Sequence, residues 1–252
     1  MAGHSKWAGI KHKKGAADKK RAKVFSKLAK FISIAARDGG GDPGANAKLR
    51  LAVDKARAAN MPKDNIERAI AKGTGEGGSV QYSELVYEGY GPGQVAVVLD
   101  ILTDNRNRTA SELRKLFDKK NSTLGNPGSV SWMFETKGLI EVPSDRTTED
   151  DLMELALDSG AEDVKLEADI FQVLTAPENF TAVRSAVDAA GIEPGLAEVT
   201  RIPTTIVELT DSNIAKKVLD FIEALEDHDD VQNVHSNFDM PDDLMEQISA
   251  EE

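Results

Sequence analysis

The sequence predicts an α+β multidomain protein: an N-terminal three-helix domain followed by two ferredoxin-like α+β domains, the third domain inserted in the second. Three observations predict it. Charge changes sign at a glycine run, 73–78: residues 1–72 hold 18 Lys and Arg against 6 Asp and Glu, and residues 73–252 hold 13 against 37. Apolar residues recur at helical spacing before that run, and in strand-like and helical stretches after it. A βαββαβ series over 138–202 then sits inside another set of elements, which is complete only when its two halves are taken together. The predicted divisions are a basic arm, 1–20; a helical domain with its Gly-rich linker, 21–78; a discontinuous α+β domain, 79–135 and 203–252; and an inserted ferredoxin-like domain, 136–202.

Up to about Lys20 there is no apolar periodicity, so the arm is expected to be disordered alone. From Arg21, Val24, Phe25, Leu28, Phe31, Ile32 and Ala35 recur at helical spacing. Lys20, Lys23, Lys27, Lys30 and Arg37 fall on the opposite side as a cationic stripe. The Gly39–Gly44 run breaks the helix. A second helix fits 46–59, with Leu49, Ala52, Val53 and Ala56 inward. Pro62 opens a third, with Ile66, Ala69 and Ile70 inward. Strands fit 82–88 and 94–103, joined by the GYGPG turn at 89–93. A helix fits 109–120, with Thr109 and Glu112 at capping-box spacing, and a strand fits 129–134. The inserted series is strand 138–142, helix 149–158, strands 163–167 and 170–175, helix 179–189 and strand 197–202. Strand 204–209, helix 212–226 and strand 231–238 complete the outer domain.

The net charge of −12 averages a basic block of +12 and an acidic body of −24. Such a block expects a polyanionic partner, and the acidic body should point away from it. There are no cysteines, which removes disulfides, Cys-ligated zinc and thiol catalysis. No apolar run has the length of a membrane helix and the first residues do not resemble a secretory leader, so a cytoplasmic protein without membrane contact is expected.

GHSKWAGIKHKKGAAD at 3–18, GGGDP at 39–43, NIERAIAKG at 65–73, YEGYGPGQVAV at 87–97, TDNRNRTASELRKLF at 103–117, GSVSWMF at 128–134 and LEDHDDVQNVHSNF at 225–238 together resemble the YebC/PmpR family of bacterial proteins. The resemblance runs in order along nearly the whole chain. It implies the same three-domain fold and a regulator of gene expression. Transcriptional regulation by DNA binding is the role implied for the bacterial members, and the mitochondrial relative, a translational activator, points to RNA and the ribosome.

In the arm, Lys6, Lys11, His12, Lys13, Lys14, Lys19, Lys20 and Arg21 are spaced to track a phosphate backbone. Trp7 is a candidate for stacking on a base, or for anchoring the arm to the bundle. Lys23, Lys27 and Lys30 extend this surface along the first helix. Helices two and three could form a helix-turn-helix with Lys63, Asn65, Arg68 and Lys72 on the reading helix, or a plain bundle. Arg106 and Arg108 lie beside a predicted helix N-terminus and are candidates for an anion site; the alternative is a tight loop whose arginines pair with the acidic body. Glu226–Asp230 reads as a solvated helix end rather than a cation loop. The four histidines form no metal-ligand or catalytic spacing, and GYGPG joins two strands rather than a strand and a helix. A magnesium nuclease on Asp100 and Asp104 is the enzymatic alternative. The expectation is a monomeric, non-enzymatic nucleic-acid-binding regulator without cofactor or metal. Its partner is DNA in transcription or, alternatively, ribosomal RNA on the ribosome; a protein scaffold with a basic tail is the third reading.

Overall fold

The structure is a computed structural model and describes residues 18–75, 82–167 and 169–251. Lys6, Trp7, Lys11, His12, Lys13 and Lys14 lie outside these residues, as do residues 76–78 of the Gly-rich linker. The chain divides into two compact units. One is Trp132–Ile206; the other holds the N-terminal helices together with the sheet that the insert interrupts.

Three helices open the larger unit: α1 (Asp18–Gly39), α2 (Ala47–Ala58) and α3 (Lys63–Gly73). They bury most of the apolar positions that the sequence pattern marks, among them Ile32, Ala35, Leu49, Val53, Ile66 and Ala69, while Val24, near the start of α1 and ahead of the residues that α2 and α3 cover, stays exposed. Asn46 turns the chain from α1 into α2. Its Oδ1 accepts the Leu49 N–H at 3.0 Å, while its Nδ2 donates to the Ala35 and Gly40 carbonyls at 2.7 and 2.9 Å. Gly73 allows α3 to lie close against α1, because a Cβ there would stand 2.2 Å from the Ser33 carbonyl oxygen.

The central sheet has the order β3-β1-β2-β9, from β1 (Ser83–Tyr90), β2 (Ala96–Thr103), β3 (Thr123–Leu124) and β9 (Val231–Ser236). Val97, Leu99 and Ile101 of β2 pack against α4 (Arg106–Lys119) and α7 (Ser212–Glu226). Phe117 of α4 and Phe221 of α7 meet edge to face, ring centroids 5.0 Å apart. A short parallel pair, β8 (Val207–Glu208) with β10 (Phe238–Asp239), precedes a last helix, α8 (Asp242–Glu251).

Two local expectations fail here for identifiable reasons. The strand expected at 129–134 does not form. The buried Glu88 carboxylate accepts the N–H groups of Gly128, Val130 and Ser131, each at 2.8 Å, so they are not available to a ladder. Burial pushes the Glu88 carboxyl up, but these donors outweigh burial and hold it below its ordinary value. The capping box at Thr109 does not form either. Asn105 caps α4 one turn earlier, its Oδ1 accepting the Arg108 N–H at 3.1 Å, and Thr109 is buried within the helix.

The insert is β4 (Phe134–Pro143), α5 (Glu149–Asp158), β5 (Ala161–Glu167), β6 (Ile170–Thr175), α6 (Phe180–Ala189) and β7 (Leu196–Pro203). Its antiparallel sheet has the order β5-β6-β4-β7, which the βαββαβ series requires of a ferredoxin-like layer. Ile140, Val142, Val173, Leu152 and Val183 form its core. Among the described residues no helix is long and apolar enough to cross a membrane.

Candidate nucleic-acid interface

Three lysines of the cationic stripe of α1 have acceptors within the chain. Lys23 Nζ donates to the Asp227 carbonyl at 3.1 Å, Lys27 to that of Glu226, and Lys30 to that of Asp229 at 3.0 Å. Three lysines on successive turns of one helix thus meet carbonyls at and just beyond the C-terminal end of another, where its dipole is negative. Burial pushes the Lys27 ammonium below its ordinary value, against the pull of Glu226, Asp227 and Asp229.

Asp230 completes this junction. Its side chain is 2% exposed and holds a cation on each oxygen: Lys30 Nζ lies 2.9 Å from Oδ1 and Arg108 Nη2 lies 2.7 Å from Oδ2. The Thr109 and Thr103 hydroxyls donate to Oδ2 at 2.8 and 3.1 Å. Burial pushes the Asp230 carboxyl up, but the Arg108, Lys30 and Thr109 hydrogen bonds outweigh burial and hold it well below the usual carboxylate range. Arg108 also pairs with Asp104 at 3.0 Å, and Asp230 raises its guanidinium above the ordinary arginine value.

The candidate site residues therefore separate. Lys23, Lys27, Lys30 and Arg108 have acceptors inside the chain. Arg106, in the first turn of α4, is exposed without a partner among the described residues. Lys19, Lys20 and Arg21 lie on the first turn of α1, and their side chains are outside the described part. On α3, Lys63 is exposed and pairs with Glu67 at 3.5 Å, Arg68 bonds Asp64 and Asn65 of its own helix, and Lys72 stands 5.7 Å from the centre of the Tyr82 ring. Among these helix-turn-helix candidates Arg68 and Asn65 bond to each other, while Lys63 is paired along its own helix and Lys72 stands against Tyr82.

Glu112, His228 and Asp230 bring ligand atoms within 4.8 Å of one another, but these atoms are engaged. His228 Nδ1 accepts the Asp230 N–H at 3.1 Å, which leaves Nε2 as the protonated nitrogen facing Glu112 Oε2 at 3.1 Å. Asp230 already carries its two cations. The arrangement is a hydrogen-bond chain tying α4 to the end of α7. Of the carboxylates weighed for a nuclease, Asp100 faces His235 Nε2 at 2.8 Å and Asp104 pairs with Arg108. Asp230 was hidden to sequence reading because it lies in an acidic run, 226–230, in which nothing marks the one residue that folding buries.

The class of molecule is thus a basic helical bundle clamped onto an α+β sheet that carries a ferredoxin-like insert. Two family models match it: the N-terminal domain of TACO1/YebC proteins over residues 5–76, and their second and third domains over residues 82–238. The chain belongs to the TACO1/YebC family. It is 55% identical to a probable transcriptional regulatory protein of Desulfotalea psychrophila, over 99% of this chain and 100% of that one. It is 55% identical to one of Geobacter sulfurreducens, over 98% and 100%. The crystal structure of a conserved hypothetical protein of Aquifex aeolicus superposes with a TM-score of 0.79 at 45% identity, covering 88% of this chain and 92% of that one.

Proposed function

We propose that this protein is a non-enzymatic regulator of gene expression that binds nucleic acid through its basic N-terminal segment, residues 1–72. One observation carries the reading: residues 1–72 have a net charge of +12 attached to a body of −24. The relatives' name, probable transcriptional regulatory protein, supports a regulatory role with DNA as the partner. Contact with phosphates is assigned to Lys6, Lys11, His12, Lys13, Lys14, Lys19, Lys20, Arg21 and Arg106. Lys23, Lys27, Lys30 and Arg108 position the helical bundle on the body. A role on the ribosome is the second reading, favoured by Trp7 within the basic arm, since stacking on unpaired bases is an RNA-binding device.

Sequencing nucleic acid crosslinked to the protein in cells separates these readings. Discrete promoter fragments are the expected result for transcription, and enrichment of ribosomal RNA would select translation. Recovery of no nucleic acid above a mock control would overturn both.

A further inference from the structure

The acidic body is not uniformly acidic. Residues 106–120 hold six of its 13 Lys and Arg against two acids, Glu112 and Asp118; the rest of residues 73–252 holds seven against 35. This stretch is α4 and its C-cap. Thr109, Leu113 and Phe117 bury one side of the helix, Arg114, Lys115 and Lys119 are exposed on the remainder, and Arg106 is exposed at the N-terminal end, in line with the buried side. Folding uses Arg108, held by Asp230, and Lys120, 4.0 Å from Asp220; the other four have no partner among the described residues. Of the two acids, Glu112 is engaged by His228, which leaves Asp118 as the one exposed carboxylate of α4 without a partner among the described residues.

Local stability does not account for this placement. Arg106 and Arg108 occupy the first turn of a helix that has no acid there, so both oppose the macrodipole. The Asp230 and Asp104 carboxylates compensate Arg108, but nothing described compensates Arg106. The dipole favours Lys119 at the other end and is indifferent to Arg114 and Lys115. A residue set at odds with local stability and left exposed is the mark of a binding surface.

We propose that the exposed surface of α4 is a second polyanion-contacting surface, on which Arg106 at its N-terminal end and Arg114, Lys115 and Lys119 on its outer face meet the phosphate backbone of the nucleic acid. The inference rests on the nucleic-acid-binding reading above and adds a surface on the body. The helix is about 21 Å long, the rise of roughly six nucleotides of one strand. Its basic end is continuous with the helical bundle, since one carboxylate, Asp230, holds both Lys30 of α1 and Arg108 of α4.

The test is the salt dependence of binding of the full-length chain to a 20-base-pair DNA duplex and a 20-base-pair RNA duplex, each of arbitrary sequence. The R106Q/R114Q/K115Q/K119Q variant should flatten the slope of log K against log salt by about two units or more, at roughly 0.7 to 0.9 for each phosphate the variant no longer neutralises. Its melting temperature should not fall, because the changed side chains are exposed and Arg106 works against its helix. The polymer on which the slope flattens is the partner. A slope equal to that of the parent on both duplexes would overturn the proposal. So would an equal flattening by R146Q/K165Q/R184Q/K217Q, which removes the same charge elsewhere on the body. If K11A/K13A/K14A in the arm changes the slope while the α4 variant does not, the inference falls and the nucleic-acid-binding reading stands; if neither does, both fall.

Discussion

Replacing Asp230 by Asn would remove a charge from the junction of α1, α4 and α7 while keeping its shape. Lys30 and Arg108, at 2.9 and 2.7 Å, would lose their counter-charge, and the amide NH2 would face a donor on one side. Hydrogen bonds to charged groups contribute about 1.5–3 kcal/mol each. The Arg108 side chain is 43% exposed, so solvent screens that pair and its share is smaller; Lys30, at 18%, retains more. A net loss of about 2–4 kcal/mol at neutral pH follows. In a chain of this size that lowers the melting temperature of the larger unit by roughly 5–15 °C. Scanning calorimetry and urea unfolding followed by circular dichroism would measure it. The pH dependence gives a second check. The folded-state value is depressed, so the Asp230 contribution is fully present above the unfolded carboxylate value of about 3.9 and is lost as pH falls through the folded value. The gap between parent and variant should therefore hold from pH 7 to about 5, then shrink by up to about 1.4 kcal/mol per pH unit. Equal urea midpoints at pH 7, or a gap as large at pH 3 as at pH 7, would refute the role given to Asp230.

Two further substitutions probe the scaffold. Glu88→Gln leaves fewer acceptors for the N–H groups of Gly128, Val130 and Ser131, and should cost about 1–3 kcal/mol in urea unfolding and speed amide exchange at Val130. Because the Glu88 value is depressed on folding, that difference should also fade in acid. Gly73→Ala places a methyl group 2.2 Å from the Ser33 carbonyl oxygen and should destabilise the packing of α3 on α1 by about 1–3 kcal/mol, seen as a lower urea midpoint.

The parts of the fold that depend on periodicity were legible in the sequence. The apolar positions of the three helices, the β1–β2 hairpin with its Gly-Pro turn and the βαββαβ insert all follow from spacing that the chain repeats locally. What escaped depends on partners distant in sequence. The strand expected at 129–134 is lost to a carboxylate forty residues earlier, Glu88, which no local pattern connects to it. Likewise the stripe of Lys23, Lys27 and Lys30 carries a helical pattern that suits solvent or phosphate equally; the carbonyls that receive it lie about two hundred residues away. Arg106 and Arg108 look alike in the sequence, and only the burial of Asp230 separates a structural arginine from an exposed one. A count of charge along the body would have found the α4 cluster, since 106–120 stands out against its acidic surroundings.

The basic N-terminal segment, residues 1–72, is the proposed polyanion contact, and the salt dependence of binding by the K11A/K13A/K14A full-length variant tests it most directly. Each neutralised phosphate contributes roughly 0.7 to 0.9 to the slope of log K against log salt, so the variant's slope should be shallower by about two to three units, with similar changes on duplexes of unrelated sequence. Its melting temperature should match the parent's, because the core of the helical bundle is formed by residues from Phe25 to Ile70 and includes none of the three lysines. A slope and affinity equal to the parent's on both DNA and RNA would contradict the account.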